Sequence, residues 1–280
     1  MNEWRRGILS VLFAALVLLI APQANAWWDR GHVLVAQAAN QALPDDVPRF
    51  FRQASDDIAN MSALPDSWRN REAKHLREAV YPEHFIDWEM LEGQPLPPTR
   101  WEYVALCARL RKNPYDVGLL PYAVVEETDR LACAFAEHRR WPDDRGARQQ
   151  CAVFAAILSH YAADMAQPLH LTVSYDGRTS PGATSPRTGI HNRVDALLQA
   201  VELDPGDIAA HVQPVVFDDP FASTIEAVIR NRSAIATVYA LENDLPLVRK
   251  GADVDAGWLP TDRLHEFAKE RASEAAFLTA

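Results

Sequence analysis

Between Gln149 and Met165 the chain carries its most apolar helical pattern, and Pro168 stops it. His160 and Asp164 sit inside that pattern, four residues apart, so both project from one helix face. Ionisable residues in so apolar a setting are costly to bury unless they are paired or metallated.

The surrounding pattern is helical almost throughout. Apolar residues recur at helical intervals over His32–Ala42, Pro48–Ala59, Arg100–Lys112, Val117–Arg140, Asn192–Val201, Pro220–Leu241 and Thr261–Leu278. Pro121 fits the first turn of its helix. Strand signals are scarce, and Val212–Phe217 is the best candidate. Glu92–Thr99, Ser174–Gly189 and Asp244–Pro260 read as irregular, and a loop as long as the second is usually functional or disordered. There is no internal repeat and no linker, so the expectation is one all-α, multi-helix domain. Cys107, Cys133 and Cys151 look like helix-face residues without zinc-finger spacing. Buried thiols and one disulfide are both compatible with their positions.

The amino terminus reads as a secretory signal peptide over residues 1–26. Arg5 and Arg6 precede the apolar run Ile8–Ala21, and Ala24-Asn25-Ala26 is a small-x-small cleavage site. The run of about 14 apolar residues is short for a spanning helix, which needs about 20. Residues 27–280 would then form the mature catalytic domain, periplasmic or secreted, without stable membrane insertion and monomeric. The full chain has a formal charge of −10, and removing Glu3, Arg5 and Arg6 makes it −11. Such a balance excludes a protein that coats nucleic acid with Lys and Arg.

Five of the nine His keep company with carboxylates. His170 follows Pro168, where the chain can turn back toward His160 and Asp164. His191 and Asp195 repeat the His-x-x-x-Asp spacing. His84 lies in Glu83-His84-Phe85-Ile86-Asp87, and His32 lies near the expected new N-terminus. One such pair alone is usually a salt bridge. The set, with imidazole and carboxylate ligands and no nearby thiolate, points to a catalytic rather than a structural zinc site. His75, His138, His211 and His265 lack motif context and read as surface residues.

These residues resemble a family. Trp27-Trp28-Asp29-Arg30-Gly31-His32 is similar to the mature start of the S1/P1 group of single-strand-specific zinc-dependent nucleases, which share fold and metal site with bacterial phospholipase C. The segment Ile58 to Asp66, His84-Phe85-Ile86-Asp87, the stretch Ser159 to His170 and Gly189-Ile190-His191-Asn192-Arg193-Val194-Asp195 resemble the family's further motifs, in the family's order. The last motif has a phospholipase C flavour, and Trp28 stands where the family has Gly.

The resemblance implies the all-α phospholipase C/nuclease fold and three Zn2+ ions per chain. Asp66, His84, His160 and Asp164 would hold the first ion, and His170, His191 and Asp195 the second. Trp27, through its α-amino nitrogen and carbonyl oxygen, would hold the third with His32 and a bridging Asp164. The implied activity is hydrolysis of single-stranded DNA or RNA, with a zinc-bound hydroxide attacking phosphorus. Asp66, Asp164 and Arg69 would serve catalysis, Arg69 by stabilising charge on the phosphate, unless it is a solvated helix-face residue. Phe85 would stack on a base and Asp87 accept from its edge, unless Phe85 is core. Two other readings stand beside the nuclease: a phospholipase C or related phosphoesterase acting on lipid or small phosphates, and a non-catalytic zinc scavenger.

Overall fold

Asp144 starts the central helix, its carboxylate accepting the Ala147 amide at 2.7 Å, so the helix runs over Arg145–Ala166 and begins before the apolar pattern does. Pro168 ends it by forcing Gln167 into an extended conformation. Every residue from Ala155 to Val173 is buried, as an all-apolar helix requires. The computed structural model describes residues 27–249 and 253–280; the expected signal peptide lies outside the described residues.

Among the described residues, the helices of ten or more residues are α1 (Asp29–Ala42), α2 (Arg100–Arg109), α3 (Leu120–Arg140), α4 (the central Arg145–Ala166), α5 (Pro220–Arg232) and α6 (Asp262–Thr279). Shorter helical turns connect them. α3 and α4 form a helical hairpin, and α4 also packs on α1, α5, α6 and the short helix Ser55–Met61. Its faces serve three apolar clusters. One lies under α1, α6 and residues 190–201, a second under α2, α3 and α5, and a small third under Phe51 and Ile58. The fold is all-α, and no helix among the described residues is long and apolar enough to cross a membrane.

Several expectations need correction. Val212–Phe217 is not a strand: it is irregular, Val216 is 95% exposed, and Pro214 cannot donate to a ladder. A two-stranded antiparallel sheet instead joins Val248–Arg249 to Asp253–Val254, within the stretch expected to be irregular. Three expected helices are broken, at Ala54, at Ala196 and at Ser233–Ala234. Cys107 and Cys151 are buried and Cys133 is exposed, all three as free thiols. His138 is no surface residue either, because it packs on Phe50 at 4.2 Å between ring centroids.

Candidate metal centre

The carboxyl end of α4 brings the candidate residues together. Asp164, two residues before the end of α4, is fully buried, with its two oxygens facing different partners. Oδ2 is 2.9 Å from His84 Nδ1 and 3.3 Å from His160 Nε2. Oδ1 is 3.6 Å from both His32 Nε2 and His170 Nδ1. One carboxylate thus touches four imidazoles, a geometry suited to bridging.

His160 shares α4 with Asp164, and the other residues arrive on separate elements. Asp66 sits on the single turn Leu64–Trp68, opened by Pro65, with Oδ1 3.8 Å from His84 Nδ1 and 4.0 Å from His160 Nε2. His84 ends the 3-10 turn Tyr81–His84, after which the chain runs extended through Phe85 to Asp87. That strand is stitched on both sides, by Ile86 N–H to the His170 carbonyl and Asp87 N–H to the Val117 carbonyl, each 2.7 Å. The second contact requires Gly118, at φ +98°, where a Cβ would come within 2.1 Å of the Phe85 carbonyl oxygen. His170 lies on the turn that follows Pro168, and its Nε2 is 3.8 Å from Asp195 Oδ1. His191 and Asp195 share the helix Ile190–Asp195, 3.2 Å apart.

Three clusters result, each with its ligand-type atoms within 4.8 Å of one another: His32, His160 and Asp164; Asp66, His84 and His160; His170, His191 and Asp195. His160 belongs to two of them, its ring stacked on His32 at 4.0 Å. Trp27 is buried beside this centre, its indole donating to the Ala163 carbonyl at 2.8 Å. Trp28 N–H donates to the Asp195 carbonyl at 3.0 Å.

Burial dominates the electrostatics of these clusters. Burial pushes the Asp66 carboxyl up to about 6, against the pull of Arg69, and pushes Asp164 and Asp195 well above the usual carboxylate range. Burial also pushes His160 and His191 down to about 4, and His32, His84 and His170 well below the usual imidazole range. Buried acids resist ionising and buried imidazoles resist protonation, so neither set neutralises the other. Both nitrogens of His32, both oxygens of Asp66, and one atom each of His84, Asp164, His170, His191 and Asp195 are buried without a hydrogen-bond partner. Native structures leave few such atoms, and a missing ion is one of the standing reasons.

Neighbouring groups hold the candidate ligands in place. His160 Nδ1 donates to the Ser62 carbonyl at 2.8 Å, an assignment of the tautomer that leaves the Nε2 lone pair facing the cluster. Gln167, which sequence reasoning missed, donates to Asp195 Oδ1 at 2.7 Å and accepts the Leu169 amide at 2.6 Å. Its only sequence signal is a polar residue between two ligands in an apolar run. Glu89 was also missed: it accepts from Thr172 Oγ1, the Val173 amide and Arg232, while Arg232 donates to the Leu171 carbonyl. Together they clamp the chain that leaves His170.

Arg69 is not a solvated helix-face residue, since its side chain is 11% exposed with Nε 3.3 Å from Asp66 Oδ1. Phe85 is half-buried rather than core, and meets Tyr81 edge-on at 5.6 Å. Burial, then Glu89 and Asp116, push the Asp87 carboxyl up to about 7.

Comparison with curated proteins and with solved structures returns no match. The family described as S1/P1 Nuclease matches residues 27–182, which takes in every candidate ligand up to His170. His191 and Asp195 lie beyond the match, and the fold carries them to the same centre. With more than half of its length matched, the chain belongs to the S1/P1 nuclease family.

Proposed function

We propose that the protein is a secreted or periplasmic zinc-dependent phosphodiesterase that hydrolyses single-stranded DNA or RNA. The observation that carries this reading is the set of buried imidazole and carboxylate atoms, many without a hydrogen-bond partner, gathered around Asp164. Their donor chemistry fits Zn2+, with nitrogen and oxygen ligands and no thiolate. Asp66, His84, His160 and Asp164 would hold one ion, and His170, His191 and Asp195 a second. His32 and Asp164 would hold a third with the α-amino nitrogen and carbonyl oxygen of Trp27, once the signal peptide is removed. Zinc in such a setting acidifies water to near neutrality and polarises phosphoryl oxygens.

The chain's own residues supply the rest. Asp164 couples the clusters through its two oxygens, and Asp66 holds Arg69, whose positive charge would stabilise charge developing on the phosphate. Gln167 and the Ser62 carbonyl fix Asp195 and His160 before substrate arrives. Phe85 and Asp87 follow His84 directly on the extended segment, both half-buried, with the buried Ile86 between them. Phe85 offers a stacking face that accepts any base. Asp87, titrating near 7, can donate to or accept from a base edge. Three Zn2+ would also bring the net charge of the mature chain from −11 to about −5, with the positive charge confined to one pocket.

The test is incubation of zinc-loaded protein beginning at Trp27 with single-stranded DNA, duplex DNA, RNA and phosphatidylcholine vesicles, with and without chelator. Chelator-sensitive cleavage of the single strands is expected, with about three zinc per chain. Lipid cleavage without nucleic-acid cleavage would replace the reading with a phospholipase. Unchanged activity in protein carrying an extra residue before Trp27 would remove Trp27 from the ligand set.

A further inference from the structure

In a chain with 38 Asp and Glu against 28 Lys and Arg, an arginine readily finds a carboxylate. Arg52 pairs with Asp45, Arg100 with Glu83 and Glu126, Arg230 with Glu274, and Arg232 with Glu89. Arg77 is arranged differently. Half-buried on the helix Lys74–Val80, it lays its guanidinium over the Tyr81 ring, 4.7 Å from the centroid. One terminal nitrogen donates to the Tyr115 hydroxyl at 3.3 Å. Among the described residues no carboxylate comes within ion-pair distance of it, and the adjacent Glu78 faces Lys74 at 3.9 Å.

The rings that cradle Arg77 are themselves fixed. Tyr81 opens the turn that ends in His84 and stacks on Tyr115, 5.5 Å between centroids and 21° between planes. Tyr115 lies on the turn Pro114–Val117, where Asn113 Oδ1 accepts its amide at 3.1 Å. The Val117 carbonyl of that same turn accepts the Asp87 amide. Tyr81 also meets Phe85 edge-on at 5.6 Å. The guanidinium is thus two ring contacts from Phe85, on the run of chain that delivers His84 to the centre. Holding a long side chain in one place costs conformational entropy. Here the cost secures a planar cation with five N–H donors, of which Tyr115 engages one.

We infer that Arg77 binds a backbone phosphate that is not the one cleaved: the phosphate on the outer side of the nucleoside whose base lies on Phe85. This rests on the nuclease reading above. A guanidinium fork matches phosphate oxygens in geometry and charge, and a cation without a carboxylate partner gives up no ion pair to bind one. Phosphate contacts position a strand without reading its sequence. The preferred substrate is therefore a strand carrying a phosphate beyond the scissile one.

The experiment compares the zinc-loaded wild type with Arg77→Ala and Arg77→Lys on three substrates: a dinucleoside monophosphate, and the same dinucleotide with an added 5′ or 3′ terminal phosphate. In the wild type one phosphorylated dinucleotide should have a KM about tenfold below that of the unphosphorylated one. Arg77→Ala should erase that advantage while altering KM for the unphosphorylated dinucleotide less than about twofold, with kcat and zinc content little changed. For the favoured substrate it should also make the dependence of log KM on log salt shallower by about 0.7, the value of one single-strand phosphate contact. Arg77→Lys, which keeps the charge, should keep that slope. A second readout needs no turnover: equilibrium binding of the phosphorylated dinucleotides with a hydrolysis-resistant linkage, where the favoured isomer should bind Arg77→Ala about tenfold more weakly. Equal damage to all three dinucleotides would make Arg77 a structural support of Phe85 and overturn the inference. So would terminal phosphates that give no advantage, or advantages that all survive Arg77→Ala. A wild type that cleaves no nucleotide would sink the nuclease reading instead, while the binding measurement would still judge Arg77.

Discussion

Replacing Gln167 by Leu isolates the contribution of a residue that touches no metal in the proposed scheme. The side chain is fully buried and makes two hydrogen bonds, to Asp195 Oδ1 and from the Leu169 amide. Leucine has similar bulk, so no large cavity is added. The bond to a carboxylate contributes about 1.5–3 kcal/mol and the neutral one about 0.5–1.5 kcal/mol. Their loss should destabilise the zinc-loaded protein by about 2–4 kcal/mol. For a chain of this size each kcal/mol moves Tm by about 2–4 °C, which gives a fall of about 5–15 °C. Gln167 also lowers the Asp195 carboxyl that burial raises, so without it Asp195 is a poorer ligand. Loss of such a supporting bond weakens metal binding about 10- to 100-fold. Thermal melts and zinc titration against a competing chelator measure the two effects separately. Zinc affinity within twofold of wild type, with Tm within a degree, would refute the role assigned to Gln167.

Other expectations concern pH, backbone and substrate. In the metal-free protein Asp66 is raised to about 6, so the stability it contributes is present below the ordinary carboxylate range and lost as pH rises through about 6. In the proposed scheme zinc would take the place of that proton, so the difference in Tm between zinc-loaded and chelated protein should grow as pH rises through about 6. Equal differences at pH 5 and 7.5 would contradict this. His160 and His191, lowered to about 4, act in the opposite sense: their stability is present above about 6.5 and lost as pH falls through about 4. The chelated protein should therefore lose stability on further acidification as well. Gly118→Ala would drive a methyl into the Phe85 carbonyl and should cost about 3 kcal/mol or more in denaturant unfolding; a change under about 0.5 kcal/mol would show that the strand can give way. Phe85→Ala should raise KM for single-stranded substrates about tenfold while sparing kcat. A fall in kcat with KM unchanged would instead put Phe85 in support of His84.

The parts of the fold and centre legible in the sequence are those governed by local spacing. His160 and Asp164 share a face because they are four apart on a helix, and Pro168 marks where the chain turns toward His170. The long helices follow from apolar periodicity over several turns. Single turns such as Leu64–Trp68 and Pro205–Ala209 are too short to develop a period, so the element that delivers Asp66 was not foreseen as a helix. Glu89 and Arg232 meet across 143 residues, and no local pattern announces such a pair. The half-buried packing of His138 on Phe50 was hidden for the same reason. The strand expected at Val212–Phe217 failed because β-branched residues need a partner edge, and the fold offers none there.

The centre is closed by bonds between distant parts of the chain. Trp27 reaches Ala163 across 136 residues, and Trp28 reaches Asn192 across 164. Loops of that length cost entropy before any contact rewards them, and structures dominated by such contacts form slowly. The α3–α4 hairpin, by contrast, joins neighbours in sequence and can form early. The candidate ligands therefore come together in time as well as in space: a chain that has made its helices still lacks its centre until Trp28 and Asn192, 164 residues apart, have found each other. In the proposed scheme metal capture is then a late event of folding, and a truncated or half-folded chain carries the histidines without the site.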